Sequence, residues 1–320
     1  MNSFGRIFRL TDFGESHGES VGGVLDGVPA GLPLDLDAVQ QELNRRHSDT
    51  AGSTARREPD TVEWLSGIYQ GKTTGAPIGF KIKNQDIKLS THDFGELVFR
   101  PSHAEYSYRQ KYGHFDPRGG GRASARLTVT RVVAGAVAKQ FLRTLNVSIQ
   151  AFGAVNPETL NTVIQEGDSI GAVAEVRIQN VPAGIGTPLY GKLEAELAYA
   201  CMSIPAAVGF EYGEGFKAAE MKGSEYNDIL DENFRFLSNH SGGIQGGISN
   251  GQDIYFRVAF KPIPTLGKAQ DYVTKSGKKL TFANRDRKDV CVLPRVLVVL
   301  EAVTAMVILD QILLQKTTLC

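Results

Sequence analysis

Apolar residues recur along most of the chain with a period near two or near 3.6, and these periods mark out the elements. Residues 6–11 and 21–26 read as strands on either side of a polar turn at 12–19, closed by Gly27-Val28-Pro29. Leu36, Val39 and Leu43 then lie on one helical face, with Asp35 or Asp37 as the cap. Residues 61–66 and 78–82 predict a hairpin around the turn Gly71-Lys72-Thr73-Thr74-Gly75. From 123 to 145 the spacing of Leu127, Val132, Val133, Ala136, Val137 and Phe141 is helical. Residues 173–179 alternate, with Glu175 and Arg177 on the wet face, and Ile254, Phe256, Val258 and Phe260 alternate likewise. Between these two strands, Leu193, Leu197 and Ala200 mark a further helix. The last element, 296–314, is apolar enough to raise the question of a membrane span. Glu301, Asp310 and Gln311 interrupt it, which predicts a buried core helix instead. Strands followed by a long apolar helix occur twice, a hint of two related halves.

Composition narrows the function classes. The chain has 320 residues, and no low-complexity linker divides it, so residues 1–320 are expected as one domain. Lys plus Arg and Asp plus Glu are both 35, and this zero net charge argues against a nucleic-acid coat or a polybasic membrane binder. Cys201, Cys291 and Cys320 are odd in number and widely spaced, which fits a reducing compartment and gives neither a disulfide framework nor a metal site. The first ten residues carry charges and no apolar run, so a cytoplasmic location is expected. Glycine is the exception: 35 residues, gathered in clusters.

The clusters carry the candidate chemistry. Gly14-Glu15-Ser16-His17-Gly18 matches the GxSxG of a nucleophile elbow, but it lies at residue 14 and runs into another strand rather than a helix. The serine-hydrolase reading is therefore weak, although Ser16 and His17 still sit at a strand end. Residues 66–73 approach a phosphate-binding P-loop with the wrong glycine spacing, and a hairpin turn explains them better. Arg118-Gly119-Gly120-Gly121-Arg122-Ala123-Ser124-Ala125-Arg126 says more. Its glycines are expected to run straight into a helix start, placing Arg122 and Arg126 on one face where an anion is favoured. A second glycine cluster, residues 239–251, suggests with the first two backbone walls around a flat or phosphorylated ligand. His17 and His103 stand near arginine-bearing loops and are candidates for acid–base work. Arginines also gather at 45–46, 56–57, 118–131 and 285–295, which points to a small polyanionic ligand.

Taken in order, these segments resemble the chorismate synthase family from end to end. The resemblance rests on Phe13-Gly14-Glu15-Ser16-His17-Gly18, Arg100-Pro101-Ser102-His103-Ala104 and the 118–126 segment. It continues through Gly167-Asp168-Ser169-Ile170-Gly171, Val181-Pro182-Ala183-Gly184, Ser203-Ile204-Pro205-Ala206, residues 239–249 and residues 287–301. It implies an α+β fold with helices sandwiched between antiparallel sheets, an internal pseudo-two-fold repeat and a homotetramer. The implied reaction converts 5-enolpyruvylshikimate 3-phosphate to chorismate and phosphate by 1,4-elimination, and it requires reduced FMN without net redox change. The implied catalytic residues are His17 at the leaving phosphate, His103 beside the flavin, and Asp289 as a proton relay, with Ser16 and Ser124 in support. FMN contacts are implied for Arg122, Ala123, Ser124, Pro205, Ala206, Gly246, Lys261, Pro262, Ile263, Pro264, Thr265 and Arg287. Arg46 matches an arginine used for a substrate or NADP phosphate, and Arg126 is expected to hold substrate.

The chain departs from the family pattern in places. His47-Ser48-Asp49 follows Arg45-Arg46 where Arg-Pro-Gly is usual, and residues 48–55 contain no arginine. Asp286-Arg287-Lys288-Asp289-Val290 replaces Gly-Arg-His-Asp-Pro, and the stretch between Phe152 and Glu166 is short. These changes leave nicotinamide use open and keep a second reading in play, a flavin- or nucleotide-binding relative with impaired turnover.

Overall fold

A computed structural model describes residues 1–46, 59–85, 97–116, 118, 120–283 and 289–318. The chain opens with β1 (Ser3–Phe4), β2 (Arg9–Gly14) and β3 (Ser20–Asp26), an antiparallel meander. In α1 (Leu36–Arg45), Asp35 is the cap: its carboxylate accepts from the Ala38 amide at 3.0 Å. Next come β4 (Val62–Trp64), the small hairpin β5 (Ile68–Tyr69) and β6 (Lys72–Thr73), and β7 (Ile78–Lys83). β4 and β7 pair as expected, but the turn lies earlier, because Lys72 and Thr73 are strand and the chain reverses at Gln70-Gly71, both with positive φ. The first sheet runs β1-β2-β3-β7-β4.

β8 (Val98–Phe99) and α2 (Glu105–Tyr112) precede two 3₁₀ turns, Gly121–Ala123 and Ala125–Leu127, and then α3 (Thr128–Arg143). The second half holds β9 (Ser148–Phe152), α4 (Pro157–Glu166), β10 (Ala172–Gln179), α5 (Leu193–Met202) and β11 (Ala207–Tyr212). After the short α6 (Gly223–Tyr226), the hairpin β12 (Ile244–Gln245) and β13 (Ile248–Ser249) leads to β14 (Ile254–Phe260). The second sheet is ordered β11-β14-β10-β9, all antiparallel. β15 (Ala269–Thr274) and β16 (Lys279–Ala283) join β8 in a third sheet, and α7 (Leu293–Thr318) ends the described chain.

Helices lie between antiparallel sheets, an α+β arrangement. α3 packs on β2 and β3 on one side and on β9 on the other, while α7 packs on α1, α3, α5, β9 and β10. Gly135 marks the closest approach of the two long helices: a Cβ there would lie 2.3 Å from Cα of Ala302. By length and composition α7 is apolar enough to cross a membrane, yet 94% of that apolar window is buried inside the protein. Its interrupting charges have internal partners. Glu301 accepts from Arg45 at 2.6 and 2.9 Å, from Lys139 at 2.6 Å and from the Ala151 amide at 3.1 Å. Asp310 accepts from the amides of Arg6, Ile7 and Phe8 at 3.0, 2.8 and 2.9 Å. That second set corrects the first expected strand, which begins at Arg9 because the amides of residues 6–8 serve a carboxylate rather than a neighbouring strand.

Candidate active site

The first glycine turn is held by backbone geometry that only glycine tolerates. Gly14 has φ +91°, and a Cβ there would meet the Ser20 carbonyl oxygen at 2.3 Å. Asn84 braces the turn by donating to the carbonyls of Glu15 and Gly18 at 3.1 and 2.8 Å. Ser16 is fully buried, its Oγ 3.1 Å from Nδ1 of His17 and its amide 3.4 Å from the Gly121 carbonyl. A hydrolase elbow presents its serine to substrate, so the burial of Ser16 removes that reading.

Arg122 and Arg126 do not share a helical face. Ser124 is extended and breaks the segment into two 3₁₀ turns, with its Oγ accepting from the Arg126 amide at 3.2 Å. The two guanidiniums diverge as a result. Arg122 pairs with Asp12 and donates to Asn2 Oδ1 at 3.0 Å and to the Gly14 carbonyl at 3.1 Å. Arg126 pairs with Asp60 and donates to Asn84 Oδ1 at 2.8 Å. Arg46 donates to the other oxygen of Asp60 at 2.6 Å. Arg46, Asp60 and Arg126 are all buried, and Asp60 has a left-handed backbone, φ +45°. The anions at this segment are thus the chain's own carboxylates, with two guanidiniums on the one carboxylate of Asp60. Nε of Arg46 is buried without a hydrogen-bond partner among the described residues.

His103 lies in a second cluster. Its Nδ1–H donates to the Pro101 carbonyl at 2.8 Å, which leaves Nε2 to accept from the Thr265 hydroxyl at 3.3 Å. Burial pushes the imidazole below its ordinary value, and the charges of Arg100 and Lys261 add to this against the Pro101 carbonyl and Glu105. Arg100 itself is paired with Glu105. Ser102, with φ +54°, is strained beside it. Lys261 ties three segments together: Nζ donates to the Ser102 carbonyl at 3.2 Å, and its amide donates to the carbonyl of Ala206 (φ +71°) at 2.9 Å. Ser169 Oγ donates to the Ile263 carbonyl at 2.6 Å, and the Ile170 amide donates to the Val290 carbonyl at 2.9 Å. Residues 100–103, 168–170, 205–206, 261–265 and 289–290 therefore converge. Asp289 Oδ1 is 3.3 Å from Nε of Arg295. Arg287 lies outside the described residues.

The segment that carries α2 spans both clusters. Burial raises the Tyr108 hydroxyl above its ordinary value, and both Arg122 and Glu15 of the first cluster act on it. Asp116 is held low chiefly by Arg118, with a contribution from His17. Gly246 stands apart, at the exposed tip of the β12–β13 hairpin, whose hydrogen bonds run to Pro182, Gly184, Ile185 and Leu193. Among the described residues no hydrogen bond joins the 239–251 glycine cluster to the 118–126 segment, which the sequence paired with it as two walls of one site. The sequence reading also missed Arg131, which donates to the carbonyl and hydroxyl of Ser203 at 3.0 and 3.1 Å. The available signal was its place at the end of the arginine-rich 118–131 stretch, five residues beyond Arg126.

A sequence model of the family described as chorismate synthase matches residues 8–159 and 154–313. The chain belongs to the chorismate synthase family. It is 49% identical to the chorismate synthase of Phocaeicola vulgatus and 50% identical to that of Bacteroides thetaiotaomicron, in each case over 354 aligned positions covering 99% of both chains. A solved chorismate synthase crystal structure superposes with a TM-score of 0.77 at 32% identity, covering 98% of this chain and 93% of the other. Chorismate synthases are lyases. The two family-matched stretches meet at residues 154–159, inside the segment that is short in this chain.

Proposed function

We infer that this chorismate synthase family member converts 5-enolpyruvylshikimate 3-phosphate to chorismate and phosphate by 1,4-elimination. The observation that carries the reading is the convergence of residues 100–103, 205–206 and 261–265 around a half-buried His103 whose imidazole is pushed below its ordinary value chiefly by burial. A phosphorylated dicarboxylate needs several cations and few competing anions. Arg46 and Arg126, whose guanidiniums gather at Asp60, are the cations this chain would offer that ligand.

Reduced FMN, when bound, supplies electron density to the reacting substrate. The residues present fit such a group: Lys261 has no carboxylate within 4 Å among the described residues, and the left-handed Ala206 turns its backbone beside it. Ala123, Ser124, Pro205, Ala206 and the Lys261, Pro262, Ile263, Pro264, Thr265 run would line the cofactor, with Arg287 beyond them. The Arg122 guanidinium is taken up by Asp12, so Arg122 contributes through its backbone and by fixing the 120–124 turn. His17 donates a proton to the leaving phosphate. His103 holds the acceptor Nε2 toward Thr265 and the ligand, and Asp289 takes up a proton at the far wall.

The same reading takes residues 1–320 as one cytoplasmic domain with an internal pseudo-two-fold repeat, supported by two sheet-then-long-helix halves ending in α3 and α7. It takes the assembly as a homotetramer, in which Gly246 serves a neighbouring protomer's site. Phe216 and Phe234, 82% and 85% exposed, support association, since such apolar surface is costly in a lone protomer. The test is an anaerobic assay with the enolpyruvyl substrate, FMN and a chemical reductant. Phosphate release only with reduced flavin supports the lyase. Flavin binding without release would identify a relative with impaired turnover.

A further inference from the structure

The geometry points to Arg131 as a phosphate-binding residue for the 5′-phosphate of the flavin, acting at the loop of residues 203–206. This rests on the cofactor reading above. Arg131 lies in the first turn of α3, and its two hydrogen bonds to described residues go to uncharged acceptors, the carbonyl and hydroxyl of Ser203. No carboxylate lies within 4 Å of its guanidinium among the described residues. Every other arginine described around the two clusters has one: Arg46 and Arg126 have Asp60, Arg100 has Glu105, Arg118 has Asp116, Arg122 has Asp12 and Arg295 has Asp289. Burial pushes the Arg131 guanidinium below its ordinary value; Asp12 opposes this from a distance, and Arg122 reinforces it.

A partly desolvated guanidinium with no carboxylate beside it among the described residues is costly, and the cost falls when an anion arrives. Position selects the anion. The Arg131 guanidinium binds the loop at Ser203, and Lys261 binds it at Ala206 through its amide while its Nζ reaches the Ser102 carbonyl, so both residues whose cations lack a carboxylate among the described residues are attached to the segment expected to line the flavin. Arg46 and Arg126, the candidate substrate arginines, gather instead on Asp60. A phosphate monoester between Arg131 and Lys261 would neutralise both with charge-assisted hydrogen bonds.

The experiment compares FMN with riboflavin, which lacks only the phosphate, by titration against the wild-type protein, Arg131→Gln and Arg131→Lys. Arg131→Gln is expected to weaken FMN binding by about tenfold or more, the scale of one lost charge-assisted hydrogen bond, and to leave riboflavin binding within about twofold. Arg131→Lys keeps the charge and should lose less. Inorganic phosphate should compete with FMN on the wild type and lose that effect in Arg131→Gln. Equal loss of both flavins, or of neither, overturns the assignment, as does a loss confined to the phosphorylated substrate. Should Arg131→Gln not fold, an Arg131→Lys variant with an unchanged FMN-to-riboflavin ratio overturns it equally. A wild type that binds neither flavin refutes the cofactor reading itself, a different failure from one limited to the variants.

Discussion

Thr265 and His103 meet across 162 residues of chain, with the threonine hydroxyl 3.3 Å from Nε2 of the imidazole. The contact fixes which ring nitrogen is the acceptor, since Nδ1–H is committed to Pro101. It also ties a strained turn at Ser102 to the Lys261–Thr265 run.

The lowered His103 value has a measurable sign. The unfolded chain takes up this proton near pH 6.5, whereas the folded chain resists it to a lower pH. The stabilisation is therefore complete above about pH 6.5 and is lost as the pH falls below it. Urea midpoints between pH 8 and pH 5 should fall more steeply for the wild type than for His103→Gln. Parallel profiles would contradict the assignment. Turnover of His103→Gln is expected to drop by about 100-fold or more.

His17→Ala should cost at least ~100-fold in turnover, in the range of a lost general acid, while FMN still binds. The turn itself should survive, because Asn84 and Gly14 hold it by backbone contacts. Steady-state phosphate release and flavin titration separate the two effects. Near-normal turnover would sink the role.

Asp60→Asn leaves Arg46 and Arg126 without the carboxylate they share. Breaking a buried pair by removing one partner costs on the order of 3–5 kcal/mol. A fall of that size in unfolding free energy is expected, together with tighter inhibition by inorganic phosphate, since one competing anion is gone. Arg126→Ala should weaken substrate binding more than FMN binding. Equal loss of both ligands in titration argues against the division.

Asp289→Asn keeps the shape of the side chain and its contact with Arg295 but removes the proton acceptor. Most turnover should vanish with flavin affinity largely intact. Single-turnover flavin absorbance with phosphate release reads both, and a silent variant would falsify the relay.

Glu301 sits in the core under opposing influences: burial raises its carboxyl, but Arg45 and Lys139 outweigh this and hold it below 4.5. Its contribution is present above the ordinary carboxylate value and is lost as the pH falls through the lowered folded value. Glu301→Gln should lose about 3 kcal/mol or more at pH 7, and the gap to wild type should narrow in acid. Chemical unfolding at pH 7 and pH 3.5 tests this.

Where periodicity carried the signal, the elements were legible: Asp35 caps α1, Leu193 starts α5, and Glu175 and Arg177 face outward from β10. The start of α3 was misread because apolar spacing runs on through the 3₁₀ turns. Ser124 was the local sign of a break, being a good capping residue. Ion-pair partners were not legible, since Arg122 finds Asp12 and Arg126 finds Asp60 at separations of 110 and 66 residues. No local pattern encodes such distances. The family segments brought His103, Ala206 and Thr265 onto one list of candidates, and the fold joins their segments through Lys261 and Thr265. Gly246 was on the same list and stands elsewhere, because a hairpin tip is placed by the 182–193 backbone and not by its own sequence.

α7 comes later in the chain than every element it packs against, and this sets the order in which the protein can mature. Until residues 293–318 leave the ribosome, α3 has no partner at Gly135, the inner faces of β9 and β10 are uncovered, and Arg45 and Lys139 lack Glu301. The amides of residues 6–8 likewise wait for Asp310. The nascent chain must carry an open apolar seam through most of its synthesis, a state prone to aggregation and suited to chaperone holding. Translation arrested before residue 293 would release a sticky, incomplete body rather than a folded half.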